Sequence, residues 1–197
     1  MKLGFLASNN GSSIQAVVAA IAAGELRAQA RLIVSNRQAA PALAFAREHG
    51  IAAAFIPTLA EPDAADSRLL QAMRAAGVEW IVLSGYLRKL GPKVLGAYEG
   101  RILNIHPALL PRHGGQGMYG HRVHEAVVAA GDTVSGASVH LVDDEYDHGR
   151  VIAQVEVPVW PDDTAADVEC RVTASEPGLF VRVLQEIAAN GGALAEG

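Results

Sequence analysis

The chain has 197 residues, half of them hydrophobic and 19% charged, which is ample for one well-packed core and marginal for two. Its formal net charge of -5, with no block of Lys or Arg, argues against a nucleic-acid or membrane-surface partner, which would need a basic stripe. The lone cysteine, Cys170, can close no internal disulfide and has no C-x-x-C companion, so a reducing, cytoplasmic setting is the default.

In chain order, the N-terminal MKLGFLASNNG carries a short apolar run broken by Ser8, Asn9 and Asn10, too short for a signal-peptide core or a membrane span. Its LGFLA reads as a strand, and SSIQAVVAAIAAG after it as a helix. The alternation continues through RLIVSN, PALAFAREHG, AAAFIP, DSRLLQAMRAAG, EWIVLSGY, PKVLGAY and RILNIH. Short β-prone runs separated by helical stretches predict βαβ units around a parallel sheet, with helices on both faces because several strands are apolar throughout. Gly24, Gly50 and Gly77 follow the helical runs, where a left-handed cap belongs.

Beyond residue 130 the pattern changes to SGASVHLV and RVIAQVEVPVW, which predict an antiparallel addition to the sheet. A last helical region covers roughly residues 164 to 189 and should be interrupted at Pro177, with a frayed tail after it. The fold class expected is therefore α/β, a Rossmann-like, mostly parallel sheet in a single domain over residues 1–197, with an antiparallel C-terminal strand addition.

In such sheets, loops at the carboxyl ends of the strands gather ligands. The first is SNNGSS, residues 8–13, where Gly11, Ser12, Ser13 and the N-H groups of a starting helix could cradle a phosphate. It is neither a dinucleotide fingerprint nor a Walker loop, and a merely capped helix is the alternative. In RILNIHPALLP, strand periodicity sets Ile102, Asn104 and His106 on one side and Leu103 and Ile105 on the other. Pro107 should end the strand with the imidazole facing the loops. An amide donor beside a proton-transfer group suits acyl transfer, although a turn-satisfying Asn and a plain strand-end His fit the spacing too.

A third place is SVHLVDDEYDHG, where Asp143, Asp144, Glu145 and Asp147 crowd one connection. A carboxylate there could stabilise a charged His106, and the others should be solvated. His113, His121, His124, His140 and His148 leave a metal reading open, but no H-E-x-x-H order or Cys cluster supports one, and no metal is expected. Arg88 and Lys89, directly after EWIVLSGY, could meet an anionic ligand or be solvated ends.

The order SNNGSSIQA, SGYLRKL, ILNIHPALLP, SVHLVDDEYDHG resembles the folate-dependent formyltransferases over about residues 2 to 189. Within them the N-G-S loop resembles the glycinamide ribonucleotide branch, phosphoribosylglycinamide formyltransferase. The resemblance implies formyl transfer from 10-formyltetrahydrofolate, a cosubstrate, to the amine of phosphoribosylglycinamide, with small-molecule partners only and a monomeric or homodimeric protein. It implies that Asn104 stabilises an oxyanion, His106 moves protons and Asp147 sets the charge of His106. It also implies that Gly11, Ser12 and Ser13 hold the substrate phosphate and that Glu176 contacts the glycinamide end. Folate would lie on Leu87, Arg88, Lys89 and Leu90, with Val142 and Asp143. The methionyl-tRNA formyltransferases and formyltetrahydrofolate hydrolases share Asn, His and Asp. A non-catalytic nucleotide-binding module would use SNNGSS alone.

Overall fold

A computed structural model describes residues 1–194. The elements follow the expected alternation: β1 (Lys2–Leu6), α1 (Ser12–Ala22), β2 (Gln29–Ser35), α2 (Pro41–Glu48), β3 (Ala52–Phe55), α3 (Pro62–Ala75) and β4 (Trp80–Leu83). Then come α4 (Pro92–Ala97), β5 (Ile102–His106), α5 (His121–Ala129), β6 (Val134–Leu141), β7 (Val151–Pro158) and α6 (Ala165–Ala189). Helix α3 starts ahead of the apolar run that announced it, because Pro62 occupies its first turn with Asp63 beside it. Gly24, Gly50 and Gly77 follow α1, α2 and α3 with positive φ, as expected of left-handed caps.

All strands join one seven-stranded sheet in the order β3-β2-β1-β4-β5-β6-β7. Neighbours from β3 to β5 are parallel, and β6 and β7 are added antiparallel. Strand periodicity sorts the core onto two faces. Leu3, Phe5, Ile33, Trp80, Val82, Leu103 and Ile105 pack with α1, α2, α5 and α6. Leu6, Leu32, Val34, Ile81, Leu83 and Ile102 pack with α3 and α4. Between β1 and β4 the chain direction of sheet growth reverses, which opens a crevice beyond their carboxyl ends.

Helix α6 corrects one expectation: Pro177 lies inside it and does not interrupt it. Proline deprives the Thr173 carbonyl of its intrahelical donor, but Thr173 is exposed, so that carbonyl is open to solvent. On the opposite side Val168, Val172, Leu179, Phe180, Val183, Leu184 and Ile187 pin both halves to the sheet. Thr164 and Asp167 form a reciprocal capping box at its start. The described part of the tail is tied down as well, the Trp80 indole N-H donating to the Gly192 carbonyl at 3.0 Å. The rest of the tail expected to fray, residues 195–197, lies outside the described residues.

Candidate active site

A cleft of about 960 Å³ opens at the carboxyl ends of β1, β4 and β5. It is walled by the loop before α1, residues 84–90, the β6–β7 connection, residues 115–120 and one face of α6. Strand β5 ends with Asn104 and His106 facing this cleft, while Leu103 and Ile105 go to the core on the other side. The periodicity of two and the stop at Pro107 place them so.

The antiparallel partner β6 completes the arrangement, setting His140 opposite Asn104 and Ser138 opposite His106. Directly opposed residues share a face, so His140 also enters the cleft. His140 Nδ1 lies 2.8 Å from the Leu141 carbonyl and therefore carries the hydrogen. Its Nε2 then accepts from the Asn104 amide Nδ2 at 3.0 Å. Burial pushes the His140 ring toward its neutral form, against the Asp147 carboxylate, in keeping with this tautomer. One amide hydrogen of Asn104 is thus committed, and the other remains for a ligand.

Asp147 sits between the two imidazoles, with Oδ2 3.4 Å from His106 Nδ1 and Oδ1 3.5 Å from His140 Nε2. It occupies a left-handed conformation, φ 56, which Asp tolerates better than most residues. Its side chain is only 11% exposed and that of His106 4%, so the pair is shielded from solvent screening. The loop after β5 is pinned by the Ser138 hydroxyl, which donates to the Ala108 carbonyl and accepts from the Leu110 N-H.

At the start of α1, Gly11 is the N-cap in left-handed conformation, φ 63, and no side chain caps the helix. The first-turn N-H groups are left for an external anion. Ser12 lines the cleft with Gly11, but the Ser13 hydroxyl does not: it is fully buried and has no hydrogen-bond partner. Ser13 can therefore offer a cradle only its backbone N-H. A helix turns successive side chains by about 100°, and here that turn sends the Ser12 side chain to the cleft and the Ser13 hydroxyl into the core.

Leu87, Arg88, Lys89 and Leu90 all line the cleft, as do Val142 and Asp143 across from them. Their loop is fixed by Ser8, whose hydroxyl accepts from the Leu87 N-H and donates to Asn36. Lys89 reaches over the Tyr146 ring, 5.9 Å from its centroid. Glu176 on α6 also faces the cleft, and burial, with the Glu169 carboxylate adding to it, pushes its carboxyl up to about 7. Among the described residues no group of His, Cys, Asp and Glu is arranged to hold a metal ion.

The profile of the formyl transferase family matches residues 1–184. The chain belongs to that family. It is 35% identical over 186 residues to the phosphoribosylglycinamide formyltransferase of Escherichia coli K12, covering 93% of this chain and 85% of that one. It is 36% identical over 193 residues to the chloroplastic phosphoribosylglycinamide formyltransferase of Vigna unguiculata. The chain spans 60% of that plant relative's length and 65% of the Arabidopsis thaliana one. The crystal structure of glycinamide ribonucleotide transformylase 1 from Symbiobacterium toebii superposes with a TM-score of 0.90 at 31% identity, over 100% of this chain and 91% of that one.

Among the members of the cleft that the sequence reading passed over are His140 and His124, treated there only as metal candidates, and Glu169 and Thr173 on α6. His140 could have been found from SVHLV once β6 was known to pair antiparallel with β5, since Ser138 and His140 alternate onto the face of Asn104 and His106. His124 is buried with an unpartnered Nδ1 and is pushed toward the neutral form by that burial.

Proposed function

We propose that this protein transfers the formyl group of 10-formyltetrahydrofolate to the amine of 5-phosphoribosylglycinamide, a step of purine biosynthesis. The observation that carries the reading is the convergence of Asn104, His106 and Asp147 in one cleft with the uncapped N-terminus of α1. Family membership supports the folate-derived formyl donor. A cytoplasmic setting suits the exposed free thiol of Cys170.

The substrate phosphate rests on Gly11, the Ser12 side chain and the first-turn N-H groups of α1, where the helix terminus supplies positive potential. Folate lies along residues 87–90 with Val142 and Asp143. Glu176, ionising near 7, takes a proton from the glycinamide ammonium so that a neutral amine can attack. The amine nitrogen bonds to the formyl carbon, and the carbonyl electrons move to oxygen. The free amide hydrogen of Asn104 and the charged form of His106, which carries a proton on Nδ1, stabilise that oxyanion. Collapse breaks the carbon bond to folate N10. The new amide nitrogen gives up a proton and N10 gains one, relayed by His106 with Asp147 beside it.

The test is a formyl-transfer assay with both substrates. Asn104→Ala should keep its fold and lose about a hundredfold to a thousandfold in kcat, the usual effect of removing one oxyanion donor. Near-normal turnover in Asn104→Ala, or folate consumption that does not depend on the ribonucleotide, would overturn the reading.

A further inference from the structure

A neutral imidazole carries one N-H, and the partner of one nitrogen decides what the other can do. His106 Nε2 lies 2.8 Å from the His113 carbonyl oxygen, which only accepts, so Nε2 holds the hydrogen. Nδ1 faces a second acceptor-only group, Asp147 Oδ2, but at the longer distance of 3.4 Å, so the more weakly held proton, the one the ring can lose and regain, is on Nδ1. His140, its neighbour on β6, has the opposite tautomer.

The His113 carbonyl belongs to a loop and to a residue of positive φ, 53, which alone would make it a poor anchor. Asp132 supplies the anchor. Its carboxylate accepts from His113 Nε2 at 2.6 Å and from the Arg112 guanidinium, and its side chain is 8% exposed. Asp132 itself sits where α5 turns into β6, its N-H donating to the Val127 carbonyl, so the grip comes from regular structure. The same loop reaches the other partner: the Gly115 N-H donates to Asp147 Oδ2 at 3.0 Å. Gly114 permits this approach, since a Cβ there would lie 2.5 Å from Leu110 Cδ2 and 3.3 Å from Asp147 Cβ.

We propose that Asp132 and His113 are positioning residues: Asp132 clamps the His113 ring, and the His113 carbonyl fixes His106 in its Nε2-H tautomer, which reserves Nδ1 for proton exchange. Asp147 from the β6–β7 loop, His140 from β6 and His124 from α5 are the other ionisable groups that act on His106. Burial drives both of those histidines toward neutrality, so the tautomer of His106 is decided between the loop, whose carbonyl at 2.8 Å favours Nε2-H, and Asp147, whose carboxylate at 3.4 Å pulls the other way.

The proposal rests on the formyl-transfer reading only for its rate measurement. Ring ¹⁵N spectra of histidine-labelled protein at pH 8.5 should give an Nε2-H form for His106. In Asp132→Ala, and in His113→Asn, which keeps the carbonyl and tolerates positive φ, that signal should move toward the mixed tautomers of free imidazole, with His140 unchanged. In the transfer assay kcat should fall about tenfold, the low end for outer partners of a reacting group, with both KM values within twofold. A folded variant of either kind that retains the Nε2-H signal, or loses only KM, overturns the proposal. A tautomer change in a protein without transferase activity would refute the functional reading and leave the positioning role standing.

Discussion

Replacing Glu176 by Gln should make the protein more stable above neutral pH while impairing its activity. The carboxyl is raised from the ordinary 4.5 to about 7, first by burial and then by the Glu169 carboxylate, so the folded state resists its ionisation. Between these two values the folded state holds a proton that the unfolded chain has lost, and stability therefore declines as pH rises through that window. At about 1.4 kcal/mol per pKa unit, the interval from 4.5 to about 7 corresponds to about 3 kcal/mol, fully lost above pH 7. Glutamine keeps the shape and cannot ionise. Urea unfolding of both proteins at pH 4.5 and 8.5 isolates the effect, because the histidines that also titrate in this range are common to both. Glu176→Gln should gain about 2–3 kcal/mol on wild type between the two conditions, or about 5–10 °C in Tm for a chain of this size. Parallel pH dependences, agreeing within about 0.5 kcal/mol, would show that the carboxyl is not strained by its surroundings and would refute the reasoning.

Ser13→Ala should leave the Kd for the phosphoribosyl substrate unchanged and cost no stability, because its buried hydroxyl has no partner to lose. Ser12→Ala should weaken binding, and isothermal titration of both variants separates the two. Asp66→Ala should destabilise by about 2–4 kcal/mol in urea unfolding, since this buried carboxylate on α3 accepts from the Lys93 and Val94 N-H groups at the start of α4. The loop of residues 84–90 precedes α4, so that variant should also bind folate more weakly in a fluorescence titration.

The alternation of short strands and helices, and the direction in which Asn104 and His106 point, were legible because both follow from local periodicity. Asp147 is different: nothing local distinguishes it from Asp143 and Asp144, and its choice came from the resemblance. His140 became visible only with the pairing of β5 and β6, a long-range register that one strand does not encode. Pro177 misled because helix propensity weighs the lost hydrogen bond but not the apolar face that holds both halves of α6. Gly114 and Gly115 looked like generic loop residues, since the Leu110 side chain that Gly114 must avoid is folded back by the loop and the Asp147 carboxylate that Gly115 meets lies more than thirty positions away.

The two tryptophans give the protein a pair of contrasting optical probes. Trp80 is 3% exposed and bonded to the tail at Gly192, while Trp160 is 58% exposed and stacked on the Arg171 guanidinium at 4.0 Å. Iodide should quench only the second, and neither lines the cleft. Emission from Trp80 therefore reports on the seating of the C-terminal segment against the central strand β4, independently of whatever occupies the site.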